Sequence, residues 1–503
     1  MYIRLIIPYQ IILGIISFNT NFSSVFPNAY QYDISKTDLK TRSLNNYSIV
    51  FPDAQMAMPL AIKNENTDRW LACYVTLMAL ESTNLDSNNF GCAFTINRKS
   101  IMKVAGDNTP YKLTRDIRAE FIGGDSNTDC NMSLLGKQEM VGCNLLAQFS
   151  LAHLFKNDFL KDWFFSIRTT FVNLQQQLIM TLEGTPENRL LDIKHFFSDI
   201  TKQAKIDSQV RSAVGLENIT LTLDGIYTTK NNILEIYYYT GVEIPTNLIY
   251  NSAYLFDPII GNNGNIGLLL GADFHGYFYN SCNKRIGIAL EIENHFLLYK
   301  TIDRTFDLYN QKYIAGEKGI INVNKPWSRY LPALFLDDPN KQLLIGDIST
   351  LPVRIHECNV LDVSLAGLLN IINPSGNKLY LVAGYNLWMS QPEYLELQDR
   401  IYPEEYHNFY TCGIKGNSIN TTSSESTIKS QLPNNTILKH FTINDLDYGS
   451  VASDGAYSQS IFIRGTGISC HGCSVLLGGW YEIGKQKMAP SRIGGWIGCG
   501  FEF

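Results

Sequence analysis

Five residues in one stretch have the side chains that do chemistry: Asp273, His275, Glu291, Glu293 and His295. A carboxylate pair beside histidine can serve as general base and acid, and two histidines with carboxylates offer the donors of a metal site. The same residues also suit a polar ladder on one face of a sheet, where Arg168 and Arg464 could neutralise them. No nucleophile motif stands near, so the ladder is the expectation and no catalytic residue is assigned. Cys470-His471-Gly472-Cys473 is a single C-x-x-C with no second Cys/His pair at zinc spacing. It reads as a local disulfide or hairpin loop rather than a metal or redox centre. The sequence has no G-x-x-x-x-G-K-[ST] loop, G-x-S-x-G elbow or H-E-x-x-H pair. The chain is therefore expected to be no enzyme and to need no cofactor.

The elements that hold these residues alternate with period two. Ile266, Leu268, Leu270, Ala272, Phe274 and Phe278 take one face, while Gly267, Leu269, Gly271, Asp273, His275 and Tyr277 take the other. From 286 to 298, Ile286, Ile288, Leu290, Ile292, Phe296 and Leu298 alternate with Gly287, Ala289, Glu291, Glu293 and His295. Two glutamates and a histidine on one face of an otherwise Ile/Leu strand do not suit a dry core; they suit the inner wall of a barrel. Segments 141–151 and 163–171 alternate in the same way, the second placing Arg168 on the polar face. Further strands are expected near 69–80, 90–97, 217–228, 233–243, 360–371, 378–388, 405–416, 456–465, 474–483 and 492–503. Asn/Gly/Ser clusters at 262–265, 280–283, 230–232 and 374–377 supply hairpin turns. Residues 186–206 have helical spacing behind Pro186. Segments 301–346 and 416–440 read as long loops.

Composition agrees with a lipid-facing sheet. Tyr and Phe number 28 and 26, Gly 37, and charged residues are only 17%. A net charge of −6 argues against a nucleic-acid partner. The N-terminus carries Arg4, a short apolar run to Ile16, then polar residues to Pro27-Asn28-Ala29, the order of a secretory signal peptide. The expected division is a signal peptide over 1–29, an arm or plug over 30–68, and a barrel over 69–503. The fold class is all-β: a transmembrane antiparallel up-and-down barrel of about 12–14 strands, with long loops and one short loop helix.

At the C-terminus, Phe503, Phe501, Cys499 and Ile497 share one parity, against Glu502, Gly500, Gly498 and Trp496. A closing strand that stops on Phe, behind the Leu476–Glu482 strand, resembles the terminal assembly signal of bacterial outer-membrane barrels of the porin type. That resemblance rests on the leader and roughly the last 30 residues, and Phe503, Phe501 and Ile497 would carry the signal. It implies an outer-membrane location, lipid and the outer-membrane assembly machinery as partners, and passive diffusion of small hydrophilic solutes. A homo-oligomer would be in keeping, though no residue singles one out. Asp273, His275, Glu291, Glu293, His295 and Arg168 would then line the pore, and the carboxylates would favour cations. The chain departs from the family in its ten cysteines. Cys143 and Cys499 lie on apolar faces, where a thiol is a small hydrophobe. Cys130, Cys282, Cys412, Cys470 and Cys473 are the disulfide candidates. The alternatives are a structural or adhesive envelope barrel cross-linked through them, and an outer-membrane hydrolase carried by the Asp273/His275/Glu293/His295 cluster.

Overall fold

The structure is a computed structural model. It describes residues 70–83, 90–200, 205–206, 208–246, 254–262, 264–313, 320–325, 327–335, 342–356, 359–397, 412–415, 437–440, 443–484 and 489–503. The signal-peptide and arm expectations lie outside the described residues.

Twelve strands form one closed sheet: β1 (Leu71–Ser82), β2 (Asp129–Ser150), β3 (Trp163–Thr185), β4 (Arg211–Thr228), β5 (Leu234–Pro245), β6 (Gly267–Asn280), β7 (Lys284–Leu297), β8 (Asn359–Ile372), β9 (Lys378–Ser390), β10 (Ala456–Ile468), β11 (Cys473–Gly484) and β12 (Arg492–Glu502). Each runs antiparallel to its neighbour in sequence. β12 closes on β1, from Ala72 opposite Glu502 to Ser82 opposite Arg492. The meander is up-and-down, and closure gives each strand a partner on both sides, which is what lets β-structure sit in hydrocarbon.

Alternation decides which side chains face in. On β1, Ala72, Tyr74, Thr76, Met78 and Leu80 are buried, while Val75 and Leu77 point out. On β12, Trp496 is buried and Ile497 and Phe501 are exposed. Leu77, Val141, Ile288, Leu365, Ile463, Leu477 and Ile497 are each more than half exposed around the outside. A band of aliphatic side chains this continuous is costly in water and at home in lipid.

The turns punctuate as the sequence implies. In the short turns 373–377 and 469–472, Gly376 and Gly472 sit at φ +83° and +82°, a region that glycine enters without a Cβ clash. The connections 151–162, 229–233, 281–283, 373–377 and 469–472 share one end of the barrel with residues 70 and 503.

Two expected strands are not part of this ladder. Residues 90–97 form 3-10 turns, Phe90–Phe94 and Ile96–Arg98, with Asn97 and Arg98 at positive φ, where an extended run cannot continue. Of 405–416, Cys412–Lys415 is a strand, but it pairs with Pro332–Phe335 outside the barrel, and 405–411 lies outside the described residues. The remaining twelve expected strands are the twelve of the barrel.

β2 and β3, at 22 and 23 residues, are about twice the length needed to cross a bilayer. Their far ends rise out of the barrel, and Met132, Leu134, Leu178 and Met180 enter a second hydrophobic core. This core also takes Phe90, Phe94, Ile117, Phe121, Phe306, Trp327, Tyr330, Ile345 and Val353, all from the long connections. The described residues of the long connections are thus a folded cap with three small sheets among them: Lys300–Thr305 with Thr350–His356 and Tyr394–Leu397; Asp307–Tyr313 with Ile320–Lys325 and Leu446–Asp447; and Pro332–Phe335 with Gln342–Leu344, Cys412–Lys415 and Ile437–His440. The expected loop helix is Glu187–His195, continued by a π turn over Phe196–Ile200, and it presses Ile193, Phe196 and Phe197 into the cap core. Trp327 seals that core by donating its indole N–H to the Phe94 carbonyl at 2.9 Å.

Candidate functional site

All six residues singled out for the inner wall face inward, and all are buried: Asp273, His275, Glu291 and Glu293 at 2% exposure, His295 at 0% and Arg168 at 5%. β6 and β7 are adjacent, with Asp273 opposite Glu291, as a hairpin about 281–283 requires. The side chains sort into two groups. Glu291 pairs with Arg464 of β10. Glu293 and His295 join a network that crosses the barrel.

His295 is the centre of that network. Its Nδ1 lies 3.0 Å from Glu243 Oε2, and its Nε2 lies 2.9 Å from Glu293 Oε1. Both ring nitrogens therefore face a carboxyl oxygen. Tyr239 donates its hydroxyl to Glu293 Oε2 at 2.6 Å, and Asn262 donates to Glu243 at 2.8 Å. Arg168 reaches from β3 to within 3.8 Å of Glu293 on β7, four strands away around the wall. The backbone makes room for this. A Cβ at Gly271 would lie 2.1 Å from Tyr239 Cζ, so only glycine lets the ring lie flat across β6 toward Glu293.

Glu243 and Tyr239 were not singled out from the sequence, although the signal was there. Within the expected strand 233–243, Glu235, Tyr237, Tyr239 and Glu243 share one parity, as do Glu291 and Glu293 in theirs. A second buried pair was also missed: Arg492 on β12 donates to Glu482 on β11 at 3.0 Å, with both side chains fully buried. Arg492 and Glu482 share the parity of Trp496 and Trp480 in the expected strands 492–503 and 474–483, so their inward direction was readable although their pairing was not.

Burial limits what these groups do chemically. A general acid or base needs a route for its substrate, and the inner wall is closed to water at many heights. Thr76, Asn144, Thr170, Asp224, Ser364 and Asn386, from six different strands, are 0–1% exposed. A hydrophobic cluster including Tyr74, Met78, Met140, Val172, Leu174, Trp480 and Trp496 shares that interior. Among the described residues no group of three or more His, Cys, Asp and Glu has the arrangement of a metal site. The network joins side chains from strands up to four apart around the wall.

The cysteine expectations need correction. Among the described residues, Cys130, Cys282, Cys470 and Cys473 are not joined to one another in disulfides. Cys130 is buried at the cap end, Cys282 stands exposed in the 281–283 turn at the other end, and Cys470 and Cys473 flank the 469–472 turn at that same end. Cys470 Sγ instead lies 3.3 Å from His471 Nδ1. Cys412 falls on a cap strand. Cys143 and Cys499 are free on the lipid-facing side, as their parity implied.

No protein-family model and no curated protein matches the sequence. Among solved structures, an outer-membrane channel from Pseudomonas putida F1 is 9% identical over 87% of this chain and 97% of that one, with a TM-score of 0.35. The β-domain of a Bordetella autotransporter is 7% identical over 87% and 100%, at 0.32. A deletion mutant of the TodX monoaromatic hydrocarbon channel is 8% identical over 94% and 98%, at 0.28. The closed ladder and apolar outer band of this chain are those of an outer-membrane β-barrel.

Proposed function

We propose that this protein is a closed outer-membrane barrel that anchors and displays its folded cap, rather than an open diffusion pore. The observation that carries the reading is the burial of the inner wall, where polar side chains on six strands are at most 1% exposed. An open channel would leave such groups wet. The cross-lumen contacts support the same reading, because Arg168 with Glu293, and Arg464 with Glu291, tie distant strands together where a pore would need space. Short turns of outer-membrane barrels face the periplasm and long connections face outward, so the cap is on the cell exterior. The cap has its own hydrophobic core, which a set of pore-mouth loops would not require. Passive diffusion of small hydrophilic solutes, with Glu291 and Glu293 favouring cations, is the competing reading.

Water access to the inner wall separates the two. Ser364 is fully buried at mid-wall, and Ser364→Cys is a near-isosteric probe. With a charged, membrane-impermeant maleimide, the folded variant is expected to label to the same extent as the parent, whose Cys282, Cys470, Cys473 and Cys499 are exposed. One additional thiol should react only after denaturation. An extra labelled thiol in the folded barrel would favour the open pore.

A further inference from the structure

The sheet formed by Lys300–Thr305, Thr350–His356 and Tyr394–Leu397 continues β7, β8 and β9 beyond the barrel without a change of register. Phe296 opposite Asn359 is followed by Lys300 opposite Ile355, and Val360 opposite Ser390 by Val353 opposite Leu397. One face of this extension, with Ile302, Val353, Ile355 and Leu395, is buried in the cap core. The other is open, and three aromatic rings cross it in a single row. Tyr299 stands beside His356, and His356 is opposite Tyr394, with ring centroids 6.0 and 5.7 Å apart and planes tilted by 43° and 55°. Tyr299 and Tyr394 are 63% and 68% exposed. Arg354 lies 4.8 Å from the Tyr299 ring centre, and Glu396 lies 3.6 Å from Arg354 and 3.4 Å from His356.

We propose that the Tyr299–His356–Tyr394 row is a binding platform for a neutral extracellular oligosaccharide. The inference deepens the display reading, since it needs the cap to be outside the cell. Aromatic cross-strand pairs stabilise a sheet, but that role alone gives no reason to leave two tyrosines mostly in water on the open face. The C–H faces of pyranose rings stack on such aromatics, and the row crosses three strands, about 10 Å, the length of two or three sugar units. Hydroxyl groups both donate and accept, and Arg354 and Glu396 supply an acceptor's partner and a donor's partner side by side. Arg354 is paired with Glu396, and Asp303 stands on the same open face, so a strongly anionic ligand would meet two carboxylates and a strongly cationic one a guanidinium. That balance selects a neutral saccharide.

The test uses the refolded full-length barrel in detergent micelles, titrated calorimetrically with maltohexaose, chitohexaose and a β-linked galactohexaose in turn. At least one is expected to bind. Tyr299→Ala and Tyr394→Ala should each weaken that binding at least tenfold, and Glu396→Gln several-fold. The gel shift of the folded barrel on heating should stay unchanged in all three variants. Failure of all three sugars to bind, or binding that survives both tyrosine substitutions, overturns the platform. Channel activity of the same preparation would instead count against the closed barrel and leave a sugar result standing.

Discussion

Arg329→Met is expected to unfold the cap while the barrel stays closed. Arg329 and Asp307 are completely buried, with Arg329 Nη1 2.7 Å from Asp307 Oδ2. Asp307 also accepts the backbone N–H groups of Trp327 and Arg329, at 3.2 and 2.9 Å, so one carboxylate fixes the turn that carries Trp327 into the core. Burial works against the guanidinium charge, but the carboxylate beside it raises the Arg329 pKa above its ordinary value. Removing the cation leaves a buried, uncompensated carboxylate, which costs about 3–5 kcal/mol. That is a large share of what a module of this size has in reserve. Limited proteolysis of the micellar protein should then cut the variant within 300–350 at low protease, with the parent resistant and the heat-dependent gel shift retained in both. Equal resistance of the variant would show that the pair does not hold the cap.

The second large effect is expected inside the barrel. His295→Leu removes the imidazole that bridges Glu243 and Glu293, leaving two carboxyl groups to share one buried site near Arg168. The expected loss is again about 3–5 kcal/mol, read as a fall in the temperature at which the compact band converts to the unfolded one. Adding Glu243→Gln removes one of the stranded charges, and the double variant should recover at least half of the loss. If the double variant were less stable than His295→Leu by the full cost of an independent substitution, the three residues would not be acting as one network.

Much of the barrel was legible because period two is a local signal. The Ile286–Leu298 alternation fixes both the strand and the inward direction of Glu291, Glu293 and His295, and any one-residue slip would put those charges in lipid. Two of the candidate strands fell outside the barrel, and at 90–97 an apolar run without clear alternation had nothing to distinguish a strand from buried turns. The extensions of β2 and β3 were missed because residues 129–140 and 172–185 mix polar and apolar side chains in a way that suits a strand rising out of lipid. Of the cap, only the helix behind Pro186 was legible. The cap's sheets use strands of two to seven residues, some of them paired across long gaps, as Ala333 is with Ile414 and Asp307 with Asp447, and such pairings leave no local period. In the site, residue types and strand faces were readable, but which charges meet was not. The contact between Arg168 and Glu293 depends on the curvature of the wall, on the glycine at 271 and on Tyr239 two strands from Arg168, none of which spacing encodes.

The most direct test of the central claim is planar-bilayer recording of the refolded full-length barrel. A closed barrel predicts a flat current, with no stepwise openings at either polarity. Openings of reproducible size, above all with a cation-biased reversal potential that Glu291→Gln and Glu293→Gln reduce, would contradict it and make the inner wall a conducting pore.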